Sequence, residues 1–258
     1  MNGENSQNTA PTEEVTEFFK CRIAEKNIEI ECLHRQVFKL CRDYLAQFDS
    51  PDLVIAATRE DIEKERIASA KENEREGLPV VDYGDAYLET LAVYRKLAEE
   101  LLCDGILLVH GAVIACDGKG YIFLAKSGTG KTTHIKNWLK MIPGTYVVNG
   151  DKPLIDTAKR RVFGTPWCGK EGMNTNTSVP LGGLVVLERG KVNEIRRITF
   201  REALPCILQQ TYRPSVGDAA VRAIQCVGGL KDVPCFLLHC NMDADSATVA
   251  HDGIFAEQ

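Results

Sequence analysis

Residues 125–133 read Ala125-Lys126-Ser127-Gly128-Thr129-Gly130-Lys131-Thr132-Thr133, and their flanks decide the fold. Just upstream, Tyr121, Ile122, Phe123 and Leu124 make an apolar run of strand length. Downstream, Ile135, Trp138, Leu139 and Ile142 recur at the spacing of one helix face until Pro143-Gly144 stops it. Strand, glycine-rich turn, Gly-Lys-Thr and helix together form the arrangement that cradles a nucleoside triphosphate. Glycines let successive backbone N–H groups turn toward the phosphates, and the helix N-terminus adds its positive end. The whole run from Ala125 to Thr133 is therefore the expected nucleotide contact. Lys131 reaches the β and γ oxygens, and Thr132 sets its hydroxyl on Mg²⁺. Lys131 is expected to lie exposed at the loop. Ala125 stands where the usual pattern has its first glycine, so the loop must begin with ordinary backbone there.

Working outward, 107–115 and 121–125 read as two strands joined by the turn Cys116-Asp117-Gly118-Lys119-Gly120, hence antiparallel neighbours. After the helix, 145–148 reads as a strand, with Asn149-Gly150-Asp151-Lys152 just past its end. Asp is common in turns. In an α/β sheet, however, ligands gather at the carboxyl ends of strands, which makes Asp151 a candidate to hold the metal or to handle an acceptor proton. Further strands are expected at 183–187, 194–198 and 234–240, and helices at 85–103, 201–210 and 216–227. Lys159-Arg160-Arg161 reads as a charged hairpin turn. Near the N-terminus, Phe19, Cys21 and Ile23 alternate with polar residues, as do Ile28, Ile30 and Cys32 after a turn near Lys26-Asn27. A helix is expected from Val37 to Phe48, then a strand at 53–57. Thr58 and Asp61 form a capping-box pattern opening a charged helix to about Arg75. The organisation read from this is a polar tail at 1–13, a small α+β unit at 14–84 and a phosphate-loop core at 85–258.

Composition narrows the function. The chain has 258 residues, of which 44% are hydrophobic and 26% charged, with a formal net charge of −5. That balance argues against a fold-wide basic field for nucleic acid. The longest apolar runs, 106–109 and 184–187, are strand-sized, far short of the ~20 residues of a spanning helix, so no membrane partner is expected. The ten cysteines contain no C-x-x-C and fall mostly in apolar runs. They read as free thiols in a reducing, cytoplasmic compartment rather than as zinc ligands. His134, His239 and His251 read as structural or solvated. Trp167 reads as core or as a pocket cover, and Lys170 and Arg213 as isolated cations able to meet an anion.

At this point the residues resemble a family. His110-Gly111 lies fifteen residues before Ala125, followed by Ser127-Gly128-x-Gly130-Lys131-Thr132 and then by Asp151 after the next strand. This is similar to HPr kinase and its relatives, whose superfamily shares its phosphate loop with phosphoenolpyruvate carboxykinase. The likeness covers about 107–164. Asn-Gly-Asp-Lys-Pro at 149–153 and Thr165-Pro166-Trp167-Cys168-Gly169-Lys170 look more like HPr-kinase-like bacterial proteins, some of which phosphorylate peptides or free amino acids. The resemblance implies an α/β fold with a mixed β-sheet core. It also implies an ATP- and Mg²⁺-dependent kinase moving the γ-phosphoryl group to a serine-type hydroxyl in a small molecule, peptide or protein. Lys131 would be the phosphate lysine. Asp151 would be one of a paired Asp whose other position holds Gly150, and His110 the histidine near the reacting phosphate. Glu171 is a possible substitute for the missing acid. No segment matches the C-terminal helix that HPr kinases use on their protein substrate, so HPr is not the expected acceptor. A homo-oligomer is implied by the family alone. Two other readings stay open: a carboxykinase-like reaction, and a nucleotide-binding regulatory module without turnover.

Overall fold

The computed structural model describes residues 16–75, 79, 81–212, 214 and 217–256. The tail at 1–13, Arg213 and the expected helix start at Val216 lie outside the described residues. The chain begins with a hairpin, β1 (Glu17–Ile23) and β2 (Lys26–Cys32), followed by α1 (Arg35–Leu40), β3 (Leu53–Ala56), α2 (Arg59–Arg75) and α3 (Asp85–Leu101). β1 pairs antiparallel with β2, and β2 pairs parallel with β3. The hairpin turn falls at Ala24-Glu25, both at positive φ (52° and 65°), not at Lys26-Asn27. The expected long helix from Val37 to Phe48 stops at Leu40, apart from one 3₁₀ turn at Arg42–Tyr44. Tertiary pairing overrides the periodicity there: Leu45 bridges Cys21, and the Ala46 amide donates to the Lys20 carbonyl. The Thr58–Asp61 capping box is present, with reciprocal bonds of 2.8 and 3.3 Å.

The remaining elements are β4 (Ile106–Leu108), β5 (Ala112–Cys116), β6 (Lys119–Leu124), α4 (Lys131–Met141), β7 (Tyr146–Asn149), β8 (Leu154–Asp156) and β9 (Arg161–Phe163). They are followed by β10 (Ser178–Arg189), β11 (Glu194–Ile198), α5 (Phe200–Gln210), α6 (Asp218–Gly229), β12 (Cys235–Cys240) and α7 (Asp245–Phe255). They build one mixed sheet in the order β4-β8-β9-β10-β6-β5-β7, with β12 on β10 and β11 on β12. β5 and β6 pair antiparallel, as the short turn requires. The expected single strand over 107–115 is two strands, because 109–111 leaves the ladder. The Val109 and Gly111 amides donate to Pro153 and Asp151, and the His110 amide donates to Gln210. β8 and β9 form the hairpin whose turn carries Lys159 and Arg160, the latter at φ 51°.

Three apolar clusters hold these layers. One face of the large sheet packs on α5 and α6 through residues such as Val113, Val148, Ile207 and Val227. The opposite face packs on α4 and α7 through Phe123, Trp138, Leu187 and Ile254. The third cluster joins β1, β2 and α1 to α3 and continues into Leu108, Leu154 and Trp167. All ten cysteines are free, and seven of them are buried. No helix among the described residues is long and apolar enough to cross a membrane.

Candidate functional site

Strand directions bring the candidate residues together. β6 and β7 both run antiparallel to β5, so the segment entering β5 lies beside those leaving β6 and β7. One sheet edge therefore carries His110, the loop after Leu124, and Asp151. β10 runs parallel to β6, and β12 parallel to β10, which delivers Arg189 and Met242 to the same edge. A cleft of about 1070 Å³ opens there, lined by the loop, His110, Asp151 and Lys152 on one side and by residues of α1, α2 and α3 on the other.

The loop is held by its glycines. Gly128 and Gly130 sit at φ +74° and +119°, where a side chain would be strained, while Ala125 is buried on ordinary backbone. The Arg189 guanidinium donates to the Gly128 and Thr129 carbonyls at 2.6 and 3.2 Å, clasping the loop from β10. α4 begins at Lys131, and the N–H groups of its first turn have no partner within the helix. Contrary to the expectation of full exposure, Lys131 is half-buried: its ammonium turns back to the Ala125 carbonyl at 2.8 Å. Burial lowers its pKa, against the pull of the nearby Asp151 charge. Thr132 is exposed on the first turn of α4, and both Thr132 and Thr133 line the cleft.

Asp151 is placed by the residue two before it. The fully buried Asn149 accepts the Asp151 and Lys152 amides on its Oδ1 at 2.9 and 2.7 Å, an Asx turn at the strand end. Its amide donates to the Thr165 carbonyl and hydroxyl, both at 3.0 Å. The Asp151 carboxylate meets His110 Nε2 at 3.0 Å and Lys152 Nζ at 3.3 Å. Burial opposes ionisation of Asp151, but the His110 hydrogen bond and the Lys152 charge outweigh it and hold the carboxyl at about 2. Burial lowers the His110 pKa despite that carboxylate. At neutral pH the pair is thus an ionised Asp151 and a neutral His110. The carboxylate has no proton to give, so the ring donates from Nε2.

Gly150, next to Asp151, is closely packed. A Cβ at Gly150 would stand 3.0 Å from the Cys168 carbonyl and 3.1 Å from the Met173 carbonyl. A side chain at this position would need the neighbouring backbone to give by a few tenths of an ångström. Glu171 lines the same cleft but is engaged by Lys136 on α4 at 2.7 Å. Lys170 also lines the cleft and is exposed. Trp167 is a core residue whose indole donates to the Thr90 carbonyl at 2.9 Å, while its edge still borders the cleft. His134 is structural: it is buried and accepts from the Trp138 indole at 2.9 Å. Sequence reasoning gives no role of their own to Asn149, Lys152, Thr165 and Arg189. Only Asn149 left a readable signal, an Asn two residues ahead of the key Asp just past a strand.

No family model matches the chain, and no curated protein matches it in sequence. Among solved structures, it is similar to the Hpr(Ser) kinase/phosphatase from Coxiella burnetii, with 12% identity and a TM-score of 0.31 over 58% of this chain and 89% of that one.

Proposed function

We propose that the protein is an ATP- and Mg²⁺-dependent phosphotransferase that moves the γ-phosphoryl group to a hydroxyl of a small molecule, peptide or protein. One observation carries this reading: the glycine-rich loop with Lys131 and the His110–Asp151 pair face a single cleft. That cleft is large enough for a nucleotide and an acceptor together. The Thr132 hydroxyl and the Asp151 carboxylate are hard oxygen donors of the kind Mg²⁺ takes, and they would hold it. Bound there, the ion would neutralise charge on the β and γ oxygens. Lys131 would leave the Ala125 carbonyl for the phosphates. The acceptor oxygen forms the new P–O bond as the bond to the β-phosphate bridging oxygen breaks, releasing ADP. The hydroxyl proton passes to Asp151. In a loose transition state that proton leaves late, so little basicity is asked of the carboxylate. Asp151 mainly orients the acceptor, and His110 fixes the carboxylate.

Two variants test the reading. Lys131→Ala should weaken ATP binding by about 1.5–3 kcal/mol in a folded protein, since one charge-assisted contact is lost. Asp151→Asn should bind ATP but transfer it ~10²–10⁴-fold more slowly in single turnover. The acceptor comes from labelling a cell extract with γ-labelled ATP and Mg²⁺. Calorimetry that finds no ATP binding by the parent protein would sink the proposal. Binding without transfer to any acceptor would leave the regulatory-module reading in its place.

A further inference from the structure

The cleft contains a second lysine that the phosphate-loop pattern does not require. Lys152 is fixed at both ends of its backbone: its amide donates to Asn149 Oδ1 at 2.7 Å and to the Trp167 carbonyl at 3.2 Å, and its carbonyl accepts from the Thr165 hydroxyl at 2.7 Å. The side chain is thereby aimed along Asp151. Its ammonium takes Oδ2 at 3.3 Å, while His110 takes Oδ1 at 3.0 Å. Only 22% of the Lys152 side chain is exposed, and it lines the cleft together with Lys131.

The charge inventory gives this position a meaning. Phosphoryl transfer spreads negative charge over three equatorial oxygens, and phosphotransferases meet it with two metal ions or with one metal and an added cation. Here Gly150, beside Asp151, supplies no side chain and is tightly packed, and Glu171 is paired with Lys136. Among the described residues that line the cleft, one carboxylate, Asp151, remains, paired with the Lys152 ammonium, and the Lys131 ammonium lines the same cleft. That set suits one divalent ion and two lysine cations better than two divalent ions. Resting on the phosphotransferase reading, we infer that Lys152 is a catalytic cation supplied in cis. It would move from Asp151 to the transferring phosphoryl group and do there what a second metal or an arginine finger does elsewhere.

The test compares affinity for Mg-ATP with affinity for Mg-ADP plus aluminium fluoride, a mimic of the transferring group. The proteins are the parent, Lys152→Met and Lys152→Arg, each first checked for an unchanged melting profile. Lys152→Met should bind Mg-ATP within about threefold of the parent and lose about 10- to 100-fold toward the mimic. Its single-turnover rate should fall by a similar factor, and Lys152→Arg should recover most of both. Should Lys152→Met misfold, the Lys152→Arg comparison decides by itself. A charge-retaining variant with near-parental mimic affinity supports the inference, and one as poor as Lys131→Ala overturns it. Equal losses for ATP and mimic, or no loss for either, would also overturn it. So would an effect of Lys152→Met on mimic affinity that vanishes in the Asp151→Asn background, because Lys152 would then act only by pinning Asp151. A parent protein that binds no ATP removes the phosphotransferase reading itself. A parent that binds ATP and prefers the mimic leaves that reading standing whatever Lys152 does.

Discussion

At the scale of single residues, burial decides which titratable groups can change charge. His134 is the clearest case outside the cleft. Its Nε2 accepts the Trp138 indole proton within the core, and burial lowers its pKa from 6.5 to about 4. The folded protein therefore resists a proton that the unfolded chain accepts. The neutral-form stabilisation is fully present above pH 6.5 and is lost as pH falls from 6.5 toward 4, by roughly 3 kcal/mol in all. Urea unfolding at pH 7 and pH 4.5 should show this loss in the parent, and a smaller one in His134→Leu. Identical pH slopes in the two proteins would show that His134 takes up its proton equally in the folded and unfolded states, which overturns the prediction. Asp151 has the opposite relation to its proton. It is held ionised by its partners, so it keeps its charge throughout the range in which His134 titrates.

Among elements, the strands after β7 are built around backbone contacts too close for side chains. Gly164 lies just past β9, with its amide donating to Thr177 at 3.0 Å. A Cβ there would stand 2.6 Å from the Val148 carbonyl and would collide with the Thr175 carbonyl as well. Gly164→Ala should therefore cost on the order of 3 kcal/mol or prevent folding, far more than an ordinary surface change. It should also loosen Asp151, since the neighbouring Thr165 carries the Asn149 amide. A melting temperature within a degree or two of the parent would contradict this. Such contacts are why part of the architecture was illegible beforehand. Period-2 alternation and the glycine-rich loop placed β1, β2, β6 and α4 well, because those patterns are set by the residues themselves. The three-residue strands β8 and β9 are too short to show a period. The break at 109–111 depends on partners forty or more residues away, and the end of α1 on a bridge to Cys21. At the site, the sequence pointed to Lys131, Asp151 and His110, whose chemistry is local. The clasp from Arg189 and the aim of Lys152 exist only in the folded chain.

Over the whole molecule, α3 acts as a shared beam. Val93, Leu97 and Leu101 are buried in the cluster that contains the β1–β2 hairpin and also Leu108 and Trp167 of the large-sheet region. The N-terminal elements thus have no separate core to unfold around. The two tryptophans report on different places: Trp167 in that shared cluster and Trp138 between α4 and the sheet. In Trp138→Phe and in Trp167→Phe, the remaining indole should change at the same denaturant concentration as the far-ultraviolet dichroism. Separate midpoints in either protein would show that the two regions melt independently.

The break between β4 and β5 also sets an order of events at the ribosome. The His110 amide is held by the Gln210 carbonyl, and the Tyr212 amide by the Leu108 carbonyl. Some 60 residues are added between Asp151 and Tyr212, which takes ~3–12 s at typical synthesis rates. Through that interval the emerging chain already carries its glycine-rich loop and Asp151, while the segment that fixes His110 has yet to be made. The His110 end of the cleft is thus completed after the glycine-rich loop has been made, when the last residues of α5 and Tyr212 arrive.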